Sequence, residues 1–129
     1  MTAKRGRMLV IEDNPANLEL MSYLLQAFGY DAVSAADGVA GLEAARRETI
    51  DLIICDVHLP VLDGYAVAAS LKKHPVLRRI PLVAVTALAM VGDREKLLAA
   101  GFDGYIAKPI EPEKFVQQLE AFLQPKVDN

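Results

Sequence analysis

Four short runs of consecutive apolar residues, each cut off by a polar or charged side chain, constrain this chain more than any other feature. Met8 to Ile11 runs into Glu12 and Asp13, Leu52 to Cys55 into Asp56, Leu82 to Val85 into Thr86, and Tyr105 to Ala107 into Lys108. Runs that are apolar throughout, instead of alternating, are the pattern of strands buried on both faces of a parallel sheet. A fifth, weaker candidate is Ala32 to Ala35. Between the runs lie segments with helical spacing: Leu20, Met21, Leu24, Leu25 and Phe28 in the first, Phe115, Leu119 and Phe122 in the last. Strands alternating with helices imply right-handed βαβ crossovers and an α/β domain with helices on both faces. Open sheets of this kind bind ligands beyond the carboxyl ends of their strands, so Glu12, Asp13, Asp56, Thr86 and Lys108 are expected to meet there.

Helix boundaries agree. Asn14 before Pro15 reads as an N-cap with proline at the first helical position, and Gly29 as the stop of that helix. Asp37-Gly38 opens the second helix, Asp63-Gly64 the third and Gly92-Asp93 the fourth, and Pro112 stands in the first turn of the fifth. The second and fourth carry narrow apolar stripes (Val39, Leu42 and Ala45; Leu97, Leu98 and Ala100), so their ends are poorly marked.

At 129 residues the chain has the size of one domain, 1–129, with fraying expected over 1–6 and 124–129. A hydrophobic fraction of 53% suffices for a full core. No apolar stretch approaches the ~20 residues of a membrane span, so a soluble protein is expected. The net charge is -3, and the one basic cluster near the terminus (Lys4, Arg5 and Arg7) is short and lacks aromatic neighbours, which argues against direct nucleic-acid binding. Cys55 is the only cysteine, so no disulfide can form within the chain and the residue is expected to be a small buried strand side chain. The N-terminus lacks the apolar region of a secretory signal, which places the chain in the cytoplasm.

The gathered acids dictate a chemistry. Two carboxylates ~4 Å apart at an effective dielectric of ~20 repel by ~4 kcal/mol, and three in one cleft repel more. Lys108 supplies one positive charge; the remainder calls for a cation. All-oxygen ligands suit Mg2+, with Mn2+ as the alternative, better than zinc. A divalent metal beside a carboxylate, a lysine and a hydroxyl fits phosphoryl transfer, with Asp56 as nucleophile and its acyl phosphate bound by the metal, Lys108 and Thr86. No G-x-x-x-x-G-K-[ST] loop is present, so a nucleotide donor held by this chain is not expected.

At this point the segments VIEDNPANLEL, IICDVHLPVLDGY, VTALAM and GYIAKPIEP, spread nearly end to end, resemble the receiver domain of two-component response regulators. The EDNPAN and VTALAM-x-GD forms are most similar to stand-alone cell-cycle receivers and to receiver modules of hybrid sensor kinases. The resemblance implies a flavodoxin-like, doubly wound, five-stranded parallel sheet of order 2-1-3-4-5. It implies Asp56 as phosphoacceptor, Asp13 and Asp56 as direct metal ligands, Glu12 acting mainly through water, and the backbone carbonyl of His58 as a further ligand. Thr86 and Lys108 would grip the phosphoryl group, Lys108-Pro109 would be cis, Pro60 and Gly64 would shape the loop after the acceptor, and Thr86 and Tyr105 would form the switch.

The implied partners are a sensor histidine kinase or histidine phosphotransfer protein as donor, and a downstream protein reading the face of the fourth helix, last strand and last helix. The chain is then a signalling phosphoacceptor that catalyses its own phosphorylation and dephosphorylation, and not otherwise an enzyme. His58 departs from the family's usual side chains: a partly exposed loop histidine is expected, with contact to the phosphoryl group or attacking water as the alternative. Leu88 is expected beside the same water path, and His74 on the surface. A phosphatase of the haloacid dehalogenase type would need an aspartate where His58 stands. A flavin-binding carrier would need a hydroxyl-rich phosphate loop where Glu12 and Asp13 stand.

Overall fold

A computed structural model describes residues 5–87 and 92–123. The elements follow in strict alternation: β1 Arg7–Ile11, α1 Pro15–Ala27, β2 Asp31–Ala35, α2 Gly38–Arg47, β3 Leu52–Asp56, α3 Gly64–Lys73, β4 Leu82–Thr86, α4 Asp93–Ala100, β5 Gly104–Ala107 and α5 Pro112–Glu120. A 3-10 turn, Leu77–Arg79, links α3 to β4. The strands form one parallel sheet of order β2-β1-β3-β4-β5, as expected.

Because side chains alternate along a strand, each apolar run feeds two cores at once. Leu9, Ile11, Ile53, Cys55, Leu82 and Ala84 pack with Leu42, Val67, Leu71 and Leu97 from α2, α3 and α4. Their neighbours Met8, Val10, Leu52, Ile54, Val83 and Val85 pack with Met21, Leu25, Phe115 and Leu119 from α1 and α5. Only a strand covered on both faces tolerates such a run, which is why β1, β3 and β4 are buried from end to end after Arg7.

β5 departs from that expectation. It lies at the sheet edge, where only Ile106 is buried and Tyr105 and Ala107 are exposed. β2, the weakest candidate, is the other edge strand, and Ser34 faces solvent there.

The helix signals act locally as their chemistry requires. Asn14 Oδ1 accepts the Asn17 N–H at 3.1 Å, Asp37 Oδ1 that of Ala40 at 2.8 Å, and Asp63 Oδ1 that of Ala66 at 2.9 Å. At the end of α1, Gly29 takes φ 89°, and its N–H and that of Tyr30 return to Gln26 and Leu25, a left-handed stop that satisfies two terminal carbonyls.

Fraying was expected over 1–6, yet Arg5 is held. Its N–H donates to Gly29, its guanidinium pairs with Glu120 at 3.0 Å, and the same group lies 5.0 Å from the centre of the Tyr30 ring. The expected fraying of 124–129 and the placement of Leu88 fall outside the described residues. Among those described, no helix is long and apolar enough to cross a membrane.

Candidate functional site

The carboxyl ends of β1, β3 and β4 lie side by side, so the residues ending these strands converge. β1 pairs with β3 through Ile11 and Cys55, and β3 with β4 through Asp56 and Val85, which sets Glu12, Asp56 and Thr86 in one row. All three are buried. Lys108 follows β5, and its N–H donates to the Thr86 carbonyl at 2.9 Å, extending the ladder by one bond and turning the ammonium toward the acids. The Lys108-Pro109 peptide is cis, as the resemblance implied.

One ammonium serves two carboxylates. Lys108 Nζ donates to Asp56 Oδ2 at 3.1 Å and lies 3.0 Å from Glu12 Oε1. The second contact is an ion pair without hydrogen-bond geometry, leaving the buried Glu12 Oε1 with no hydrogen-bond partner among the described residues. The other Glu12 oxygen accepts the Asn14 N–H at 3.2 Å, so the residue that caps α1 with its side chain also positions Glu12 with its backbone. Asp56 Oδ1 accepts the His58 N–H at 3.0 Å.

The loop after Asp56 is closed by Gly64. Its N–H donates to the Val57 carbonyl at 2.9 Å, and a Cβ there would sit 2.7 Å from the Asp56 carbonyl, so only glycine allows α3 to start this close.

The electrostatics follow from burial and crowding. Desolvation raises the pKa of Glu12 and neighbouring Asp56 raises it further, while Lys108 and the Asn14 N–H pull it back without cancelling the rise. For Lys108, burial favours the neutral amine, but the adjoining Glu12 and Asp56 carboxylates outweigh it and the ammonium is stabilised. Burial, followed by the charges of Asp56, Glu12 and Asp63, pushes the Cys55 thiol far up, so this residue is an inert strand side chain. One carboxylate oxygen each from Glu12, Asp13 and Asp56 lies within 4.8 Å of the others, with Asp13 exposed at the mouth. An all-oxygen cluster with an unsatisfied buried oxygen fits a hard divalent cation.

Other expected site residues are less central. His58 is exposed, and its imidazole makes no hydrogen bond or ion pair among the described residues, whereas its backbone N–H does. Tyr105 stands apart from the acids, lining a cleft of about 380 Å³ with Arg94, Leu98 and Phe122. Asn14, read from the sequence only as a cap, also positions Glu12, and Gly64 closes the loop after Asp56 where the resemblance put it.

Known proteins share this fold. Residues 8–120 match the response regulator receiver domain family. The polar-differentiation response regulator DivK of Brucella anthropi is 38% identical over 116 residues, which span 90% of this chain and 94% of DivK. The receiver domain of the sensor histidine kinase PA1611 from Pseudomonas aeruginosa PAO1, a crystal structure with a magnesium ion coordinated in the active site cleft, superposes with a TM-score of 0.84 at 37% identity. It covers 93% of this chain and 98% of that one. Chemotaxis protein CheY4 of Vibrio cholerae gives a TM-score of 0.88 at 27% identity, covering 94% of this chain and all of its own. The order of the strands, the acids gathered at their ends and these relatives agree: the chain belongs to the response regulator receiver family of two-component signalling.

Proposed function

We propose that the chain takes a phosphoryl group onto Asp56 from a phosphohistidine, carried by a sensor histidine kinase or a histidine phosphotransfer protein. An Asp56 carboxylate oxygen forms the new bond to phosphorus as the phosphorus–nitrogen bond of the donor breaks. The electron pair leaves on the imidazole nitrogen, which takes up a proton. The observation that supports this most directly is the holding of Asp56: a buried carboxylate with one oxygen on Lys108 Nζ and the other on the His58 N–H, beside two further acids. Both hydrogen bonds orient the nucleophile, and the Lys108 ammonium attracts the incoming phosphoryl oxygens.

Asp13, Asp56 and the His58 carbonyl would hold Mg2+ directly, Glu12 would act mainly through water, and Mn2+ would substitute. The bound cation supplies charge neutralisation for the phosphoryl oxygens. Thr86, buried at the end of β4, would grip the phosphoryl group through its hydroxyl. Drawing Thr86 inward would favour an inward Tyr105 and reshape the face of α4, β5 and α5 that a downstream protein reads. The chain would thereby catalyse its own phosphorylation and dephosphorylation, acting in the cytoplasm as one receiver unit. The phosphatase and flavin-carrier alternatives fall with the family assignment.

Incubation with acetyl phosphate and Mg2+ should add one phosphoryl group by intact mass. Persistence of that adduct in Asp56→Asn would refute the assignment.

A further inference from the structure

The loop between β3 and α3 carries an apolar side chain that the fold does not use. Val61 has φ 66°, a left-handed conformation rare for a β-branched residue, and its side chain is fully exposed at 103% of the reference value. The Leu62 N–H donates to the Pro60 carbonyl at 2.7 Å and closes the turn around Val61, but burial of the side chain contributes nothing to holding it. Next to it stands Val39, on the first turn of α2, which is 52% exposed. Together with Pro60 and Leu62 they line a cleft of about 380 Å³ between α2 and the loop.

The charges at this cleft have one sign. Asp37 and Glu43 line it, and among the described residues no lysine, arginine or histidine does. It lies outside the acid cluster around Asp56 and outside the cleft that contains Tyr105.

We propose that this cleft docks a partner protein through a segment presenting an aliphatic side chain flanked by lysine or arginine. The aliphatic group would cover Val39 and Val61, and the flanking cations would pair with Asp37 and Glu43. An acidic apolar segment would meet repulsion at the same place, so charge selects between partners of equal hydrophobicity. The proposal does not depend on chemistry at Asp56, and its test uses none.

The probe is a synthetic amphipathic peptide of leucine and lysine, titrated into the isotope-labelled full chain, with a leucine–glutamate peptide of the same pattern as control. Amide shifts should concentrate at Val39, Val61 and Leu62. Removing the valine side chain should weaken binding about tenfold or more, the loss expected for one buried aliphatic group. Val61→Gly is the first variant, because glycine accepts the local φ and the fold should survive; Val39→Ser is the second. Equal binding of the glutamate peptide, shifts centred elsewhere, or unchanged affinity in both variants would overturn the proposal. So would concentration-dependent shifts at Val61 without peptide, which would mark the cleft as a contact between two copies of the chain.

Discussion

Holding Val61 in the left-handed region costs of order 1–2 kcal/mol, and its exposed side chain recovers none of it. Glycine relieves that strain but frees the unfolded chain, so Val61→Gly should raise the unfolding free energy by roughly 0.5–1 kcal/mol in urea titrations. His74 also does more than its sequence context suggests. Its Nδ1 accepts the Val76 N–H at 3.2 Å and the Leu77 N–H at 3.1 Å, capping the 3-10 turn. His74→Ala should cost about 0.5–2 kcal/mol, as other lost caps do, and His74→Asn, which keeps an acceptor on a short side chain, should restore most of it in the same titration. Neither residue was legible beforehand. Asp56 was, because a charge ending a buried apolar run needs an answer. A left-handed φ and a ring nitrogen acting as acceptor leave no trace in hydropathy, and His74 beside Pro75 reads simply as surface.

Between elements, the tie from α5 back to the α1–β2 turn is the most exposed to pH. Tyr30 Oη donates to Glu120 Oε2 at 2.6 Å, and burial, then that carboxylate, pushes the phenol from 10.0 up to about 12. A raised folded-state pKa contributes stability that is fully present below the unfolded value and lost as pH climbs to the folded one. Stability should therefore fall between pH 10.0 and about 12, and Tyr30→Phe, less stable at neutral pH by about 1–2 kcal/mol, should lose less across that window when followed by circular dichroism. Element existence and order were readable from the apolar runs and the caps at Asn14, Asp37 and Asp63. The edge position of β5 was not readable from the run itself, since Tyr105-Ile106-Ala107 is as apolar as a buried run; only the resemblance placed it at an edge. Arg5 reads as part of a basic terminus until Tyr30 and Glu120 are seen around it.

For the molecule as a whole, the acid cluster is where stability and ligand binding meet. A cation that binds only the folded chain adds about 1.4 kcal/mol when present at ten times its dissociation constant. Mg2+ should thus raise the melting temperature of the wild type, and Asp13→Ala should abolish that rise while leaving a folded protein, because Asp13 is exposed. An equal response in the variant would place the cation elsewhere. The 3.0 Å contact between Arg5 and Glu120 has a different consequence at this scale. Residues near the two ends of the described chain touch, so the fold is nearly a closed ring. A short linker replacing residues 1–4 and 124–129, with new ends opened at exposed Thr49 between α2 and β3, should give a permuted chain with the same sheet and the same metal-dependent melting. The order in which the strands are written would then matter less than the circle they complete.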